Sequence, residues 1–329
     1  MRVFVYEWTC CVPEAPPSLC REGWAMLAAV LDDLRELEGV QPVTLLRTGL
    51  HRDPRCETHR FDCGQDRERF IDLARGADAT LVIAPEIGGH LLRWAGFVEQ
   101  AGGRLLGSTL PAIALTSDKL LLGQWWQRHG VPTPDVALWQ GTNQGMHFPA
   151  VLKPRDGAGS TATFLVRRPE EVPACLAQAA AEGHEGDFVV QEFVRGKPAS
   201  VALLIGPTAT VPLVPTSQLL SRDGRFNYQG GSLPLPVPLA ERAVALGRRA
   251  VDAVAGLRGY VGVDLVLGAA ANGSQDFAIE INPRLTTSYI GLRMLAETNL
   301  AGAMLRVLGG ETPAIHWRMR KATFRPDGS

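Results

Sequence analysis

Apolar positions along the chain fall into two alternating rhythms. Residues 2–6 form a short β-rich run, and 22–38 places Met26, Leu27, Val30, Leu31 and Leu34 at the three- and four-residue spacing of an amphipathic helix. The pattern then repeats, with a strand over 42–46, a helix over 66–75, a very apolar strand over 79–84 closed by Pro85-Glu86, and a helix over 90–101 leading into 104–107. Strand-helix alternation of this kind predicts a small doubly wound parallel sheet over about the first hundred residues.

In the next stretch, Ser117-Asp118 is placed to cap a helix running from Lys119 through Trp125 and Trp126, which Val131-Pro132-Thr133-Pro134 stops. From there to about residue 190 the chain reads as a short α+β segment: strands over 150–153, 163–167 and 188–192, and a helix over 169–181. Paired strands are expected at 201–205 and 210–214, a helix at 240–254, two further strands at 260–267 and 275–281, and helix from 286 to 308. No internal repeat or low-complexity tract interrupts this order.

Composition narrows the function classes. With 329 residues, 46% hydrophobic and 20% charged, the chain can bury a sizeable core divided into two or three units. Lys and Arg (33) nearly balance Asp and Glu (34), so no strong field draws the protein to nucleic acid or an anionic membrane, and small molecules are the expected partners. The opening run is too brief for a secretory signal, and no stretch reaches the roughly 20 apolar residues that span a bilayer. The cytoplasm is therefore the expected compartment. Cysteines 10, 11, 20, 56, 63 and 175 lack paired CxxC spacing and neighbouring histidines, so thiols rather than a zinc site are expected. Cys10 and Cys11 are either packing residues or a reactive pair.

Three stretches carry candidate chemistry. Lys153 ends an apolar strand and precedes Pro154-Arg155-Asp156-Gly157-Ala158-Gly159-Ser160-Thr161, a turn whose backbone N–H groups can close over phosphate oxygens or which is simply a hairpin. Residues 189–194, including Gln191, Glu192, Phe193 and Val194, form an apolar strand that can present backbone groups to a heterocycle edge or lie buried as structure. In the third stretch, Asp264 and Glu280 each interrupt an apolar strand, where an unpaired carboxylate would cost several kcal/mol. Glu280 and Asn282 share a strand face by period-two alternation, and a neighbouring strand can bring Asp264 beside them. Three such oxygen donors suit magnesium; the alternative is a carboxylate pair neutralised by an arginine such as Arg248 or Arg284. Arg284 can grip a phosphoryl oxygen or a substrate carboxylate. No serine, cysteine or histidine stands out as a nucleophile, so the chemistry would rest on positioning and charge neutralisation.

Taken together, Lys119, the Lys153 loop, Gln191 to Val194, Asp264 and Glu280-x-Asn282 follow the order and approximate spacing of the ATP-grasp superfamily, which the whole chain resembles. The resemblance implies an α/β (α+β) ATP-grasp fold: a doubly wound pre-grasp domain over 1–107, a small central lid domain over 108–194, and a C-terminal domain over 195–329 with the magnesium and substrate site. It implies ATP and Mg2+ as cofactors, carbon–nitrogen bond formation through an acyl-phosphate, and by analogy a homodimer. Lys119 and Lys153 resemble the lysines that contact ATP phosphates, Asp156 to Thr161 the loop that closes over them, Glu192 to Val194 the adenine hinge, and Asp264, Glu280 and Asn282 the magnesium ligands. Gly196-Lys197-Pro198 departs from the acidic ribose contact that many members carry there. Within the superfamily, Glu22-Gly23-x-Ala25-Met26, Thr116-Ser117-Asp118-Lys119, Asn227-Tyr228-Gln229-Gly230-Gly231 and the run from Ile281 to Tyr289 resemble the tyramine-glutamate ligases of methanofuran biosynthesis. That likeness implies a substrate site of Arg284, Thr286, Thr287, Ser288, Tyr228, Gly230 and Gly231. Thr286 to Ser288 either offer hydroxyls to a polar substrate or cap a helix, and Tyr289 either stacks on an aromatic amine or packs in the core.

Overall fold

The computed structural model describes residues 1–13, 15–62, 64–142, 147–157 and 159–328. The first unit contains β1 (Arg2–Glu7), α1 (Pro17–Arg35), β2 (Gln41–Arg47), β3 (Glu57–Phe61), α2 (Asp66–Gly76), β4 (Ala79–Ile83) and α3 (His90–Gln100). Its four strands pair in parallel in the order β3-β2-β1-β4, and Phe4 and Tyr6 pack against Phe70 and Trp94 on one face while Val3 and Val5 meet α1 on the other. Burial on both faces explains why β1 and β4 read as continuous apolar runs rather than alternating ones.

Helices α4 (Leu110–Ser117) and α5 (Lys119–Arg128) lead to a second sheet of β5 (Val136–Leu138), β6 (Ala150–Pro154), β7 (Phe164–Val166) and β8 (Phe188–Glu192), with α6 (Val172–Ala181) between the last two. Its order is β5-β8-β6-β7, antiparallel throughout. Asp118 caps α5 as expected, accepting from the Leu120 and Leu121 N–H groups at 3.0 Å each.

The remainder holds β9 (Lys197–Ile205), β10 (Thr210–Pro212), β11 (Thr216–Leu220), β12 (Tyr228–Leu233), α7 (Val237–Asp252), β13 (Gly259–Leu267), β14 (Phe277–Asn282), α8 (Ser288–Leu295), α9 (Leu300–Leu308) and β15 (Ala322–Phe324). The large sheet runs β14-β13-β9-β11-β12-β15, with β10 also on β9. Along β9, Val201 and Leu203 join α7 in one core while Ala202 and Leu204 join α1, α8 and α9 in another, so this strand too is buried on both sides.

Several expectations need correction. The helix expected over 286–308 is two helices, because Ala296 leaves the helical region (ψ 133) and Asn299 starts a new cap by accepting from Gly302 N–H at 2.9 Å. The sequence reading passed over β3, α4, β5, β11 and β15, which are short or polar and depend on a neighbouring strand or helix for their definition. Tyr289 packs in the core, 2% exposed, with its hydroxyl on the Asp33 carboxylate at 2.5 Å. Cys10 and Cys11 are buried, and burial holds the Cys11 thiol well above its ordinary pKa, as a packing residue requires. Cys63 lies outside the described residues. Among those described, no helix is long and apolar enough to cross a membrane.

Trp125 and Trp126 lock α5 to the end of α7 through indole N–H bonds to the Ala253 (2.6 Å) and Ala250 (3.0 Å) carbonyls, and Trp126 is fully buried. Trp126→Ala should destabilise the protein by about 3–5 kcal/mol in urea denaturation; a loss under about 1 kcal/mol would show that α5 is not part of the core.

Candidate active site between the three sheets

The center of the site is a meeting of like charges. Asp264 on β13 lies directly opposite Glu280 on β14, so the pairing puts both side chains on one face of the sheet, and the register shifts just after Asp264. Gln218 of β11 donates to Asp264 Oδ1 at 2.8 Å and Asn282 to Asp264 Oδ2 at 3.1 Å, fixing the carboxyl group from two sides. Burial and the adjacent Glu280 push the Asp264 pKa up to about 8. Burial also pushes Glu280 up, but Lys119, Lys153 and the Asp264 hydrogen bond outweigh it and leave Glu280 below its ordinary value. The two carboxyls therefore share one proton.

Opposite them stand two lysines from the other side of the cleft. Lys119 Nζ is 3.3 Å from Glu280 Oε2 and also donates to the Gly157 carbonyl. Lys153, 6% exposed, donates to Gln191 Oε1 at 2.8 Å, and burial lowers its pKa to about 8. Asp118 ties this side together: besides capping α5 it holds Arg155 at 2.7 Å, while Lys119 N–H donates to the Arg155 carbonyl at 2.9 Å. Neither Asp264 nor Glu280 is neutralised by Arg248 or Arg284. Arg284 pairs instead with Glu86 at 2.8 Å.

These groups border a cavity of about 1000 Å3. Lys119, Lys153, Gly157, Gly159, Ser160, Thr161, Gln191, Glu192, Phe193, Val194, Tyr228, Asp264, Glu280, Asn282, Arg284, Thr286, Thr287 and Ser288 all line it. Three expected site residues do not. Asp156 turns away and accepts from Gly88 N–H at 3.1 Å. Gly230 and Gly231 are strand residues of β12, where an added Cβ would come within 2.1 Å of Phe324 O and 2.5 Å of Ser217 O; close strand approach, not a substrate, is why they are glycine. The turn before them does reach the cavity, through Ser221, Arg222 and Phe226. Thr286 and Ser288 bond each other (2.8 Å) and Tyr260 OH (3.2 and 2.9 Å), and Tyr228 bonds Thr287, so these hydroxyls are partly committed to the wall. Ala158 lies outside the described residues.

The cavity's far wall comes from the first sheet and was missed in the sequence. Glu7, 2% exposed, ends β1; its Oε2 accepts from Thr9 Oγ at 2.7 Å and from Cys10 N–H at 2.8 Å, and burial raises it to about 7. Glu22 of α1, raised by burial, faces the same space, with the Trp8 and His90 rings in tilted contact at 4.2 Å. Glu7 ends β1 and Glu86 follows the carboxyl end of the adjacent strand β4, where the strand order reverses. Ligands of open α/β sheets bind at such a switch point, and that rule was the available signal.

With this geometry in view, comparison with known proteins is decisive. Residues 116–288 match an ATP-grasp domain, and residues 40–113 a pre ATP-grasp 3 domain. The chain belongs to the ATP-grasp family. It is similar to the tyramine–L-glutamate ligase of Methanocaldococcus jannaschii, at 30% identity over 80% of this chain and 72% of that one. It is also similar to the D-alanine–D-alanine ligase of Ralstonia pickettii, at 27% identity over 69% of this chain and 71% of that one. A crystal structure of an ATP-grasp superfamily protein from Archaeoglobus fulgidus superposes with a TM-score of 0.76 at 25% identity, covering 99% of this chain and 92% of that one. The expected ATP-grasp fold and the expectation of a carbon–nitrogen-bond-forming ATP-grasp ligase are thus borne out.

The residues fit a divalent cation. Among the described residues no three His, Cys, Asp or Glu side chains gather, so the donor set is two carboxylates and the Asn282 amide, all hard oxygens, and the carboxyls are close enough to need a shared proton in its absence. An aspartate whose folded pKa lies above its unfolded value of 3.8 costs the folded protein stability progressively as pH rises toward about 8. In metal-free buffer Asp264→Asn should therefore melt higher than the parent at pH 8 and no higher at pH 4. Equal melting at both pH values would show that Asp264 is already compensated.

Proposed function

We propose that this ATP-grasp ligase activates a carboxylate through an acyl-phosphate and joins it to an amine, with ADP and phosphate as products. Glutamate is the proposed carboxylate, with tyramine or tyrosine as the amine, in a methanofuran-type pathway. The observation that carries the reading is the facing of two lysines and two carboxyls across one large cavity, with Glu7 and Glu22 at its other end. Lys119 and Lys153 give a surplus of positive charge for nucleotide phosphates, Gly157, Gly159, Ser160 and Thr161 border the space those phosphates would fill, and 192–194 offer an edge for adenine. Asp264, Glu280 and Asn282 would hold magnesium, which when bound supplies the positive charge that keeps both carboxylates ionised and screens the phosphates.

In the first step a substrate carboxylate oxygen attacks the terminal phosphorus of ATP and ADP leaves. In the second the amine nitrogen attacks the acyl carbon and phosphate leaves. Arg284 is placed to steady the negative charge that grows on the transferred group, and the buried Glu7 to take the proton that the ammonium must lose before it attacks. The tyramine–L-glutamate ligase relative supports the substrate pair; the D-alanine–D-alanine ligase relatives favour a second reading in which two amino acids are joined.

ADP release measured across panels of carboxylic acids and amines tests both readings. Stimulation by glutamate with an aromatic amine supports the first, and stimulation by an amino-acid pair the second. No stimulation by any pair would overturn the ligase mechanism, and AMP as product would overturn the acyl-phosphate. Glu280→Gln should lower kcat by about 100-fold or more while its melting temperature holds. Lys153→Ala should weaken Mg-ATP binding about tenfold or more in calorimetry; unchanged affinity would remove Lys153 from the nucleotide site.

A further inference from the structure

Glu86 and Arg284 come from opposite ends of the chain, 198 residues apart, and meet at 2.8 Å with side chains only 6% and 14% exposed. Only one guanidinium nitrogen, Nη2, reaches the carboxylate. Nη1 donates to the Leu285 carbonyl at 3.2 Å, while Glu86 Oε1 and Arg284 Nε are buried without a hydrogen-bond partner. A pair selected for binding strength would use the two-point fork that arginine and carboxylate form readily. A buried ion pair with orphaned atoms is a poor source of stability. What the contact does provide is direction, because it fixes the guanidinium at the cavity wall two residues beyond Asn282.

The turn that carries Glu86 has a second contact. Gly88 and Gly89 both adopt left-handed backbone (φ 60 and 67), which reverses the chain so that the Gly88 N–H donates to the Asp156 carboxylate at 3.1 Å. Asp156 begins the glycine-containing turn after Lys153. One short loop at the end of β4 thus touches both the site arginine and the segment that borders the lysine side of the cavity. The residue after it, His90, makes a tilted ring contact with Trp8 in the cavity's far wall.

We propose that Glu86 is a positioning residue for the ligase reaction, acting through Arg284, and that the 85–89 turn links Asp156 to that arginine. The proposal rests on the ligase reading above. Glu86 does not border the cavity itself, so its substitution acts on Arg284 rather than on a ligand.

The test uses the full chain with Glu86→Gln, Glu86→Asp, Arg284→Lys and the combined Glu86→Gln/Arg284→Lys variant, assayed with the acid–amine pair that the parent turns over best. Glu86→Gln should lower kcat about 100-fold with KM for ATP within about twofold, and Glu86→Asp should recover part of the loss. The combined variant should be no slower than Arg284→Lys alone, because Glu86 has no other route to the chemistry. Multiplying losses, or a Glu86→Gln kcat within about twofold of the parent, would overturn the proposal. A second readout is independent of turnover. The Arg284 Nε–H resonance, identified by its disappearance in Arg284→Lys, should be sharp in the parent and in Glu86→Asp and broadened in Glu86→Gln; an unchanged resonance there rejects the positioning role. Absence of turnover in the parent with every pair would instead defeat the ligase reading and leave the resonance test to decide for Glu86.

Discussion

Two carboxyl groups held side by side in a buried cleft are the constraint around which the molecule is arranged. Strand pairing of β13 with β14 forces Asp264 and Glu280 together, and the interior disfavours both as anions. Among the described residues, the ion pair to Glu280 comes from another unit, while Arg284, just past β14, feels both carboxyls at longer range. Lys119 arrives from the start of α5 and Lys153 from the end of β6, so the charge problem set by one sheet is solved by another. Glu280 and Asp264 in turn act against the burial that lowers Lys153.

The rest of the fold holds the two sides of that cleft in register. Asp118 serves twice, as helix cap and as partner of Arg155, which ties the N-terminus of α5 to the strand that carries Lys153. Across the cavity mouth, Glu182 takes both guanidinium ends of Arg225 (2.7 and 2.8 Å), Leu165 N–H reaches the Gly224 carbonyl at 2.7 Å, and Ser160 Oγ reaches the Phe226 carbonyl at 2.7 Å. The small sheet is therefore joined to the β11–β12 turn by several hydrogen bonds rather than by a broad apolar face. Contacts of this kind open and close at lower cost than a packed core. By contrast, α1 is joined to α8 and α9 through buried leucines and through Asp33, which binds Tyr289, Arg293 and Asn299, so that junction is a fixed one.

A division of labour across the cavity follows. The end between the small and large sheets holds the two lysines against the two carboxyls and is bordered by Gly157 and Gly159, while the end facing β1 and β4 carries Glu7, Glu22 and Trp8. Pro198 stands where a ribose-binding acid is common, and Gly196 beside it is fixed by close approach to β13, since a Cβ there would meet the Leu267 carbonyl at 2.5 Å. Close packing against β13 thus accounts for the glycine at 196.

By itself the sequence determined the strongly periodic elements, the Asp118 cap and the existence of an unusual acidic pair in apolar strands. Each of these is a local property: period, capping chemistry or the cost of a buried charge can be read from a few neighbouring residues. Only the tertiary structure decided what neutralises what. Arg284 could be assigned to the site from its position after Asn282, but its partner Glu86 is 198 residues away and no local rule pairs them. Gly230 and Gly231 look like a flexible loop in sequence and are strand residues pressed against Phe324 and Ser217, because the need for glycine came from a distant backbone. Glu7 and Glu22 read as the end of a strand and the start of a helix; their role at the cavity depends on how the first sheet is set against the other two. Spacing along a chain encodes secondary structure, whereas the sign and position of charge around a cavity are settled by contacts between residues that the chain order keeps apart.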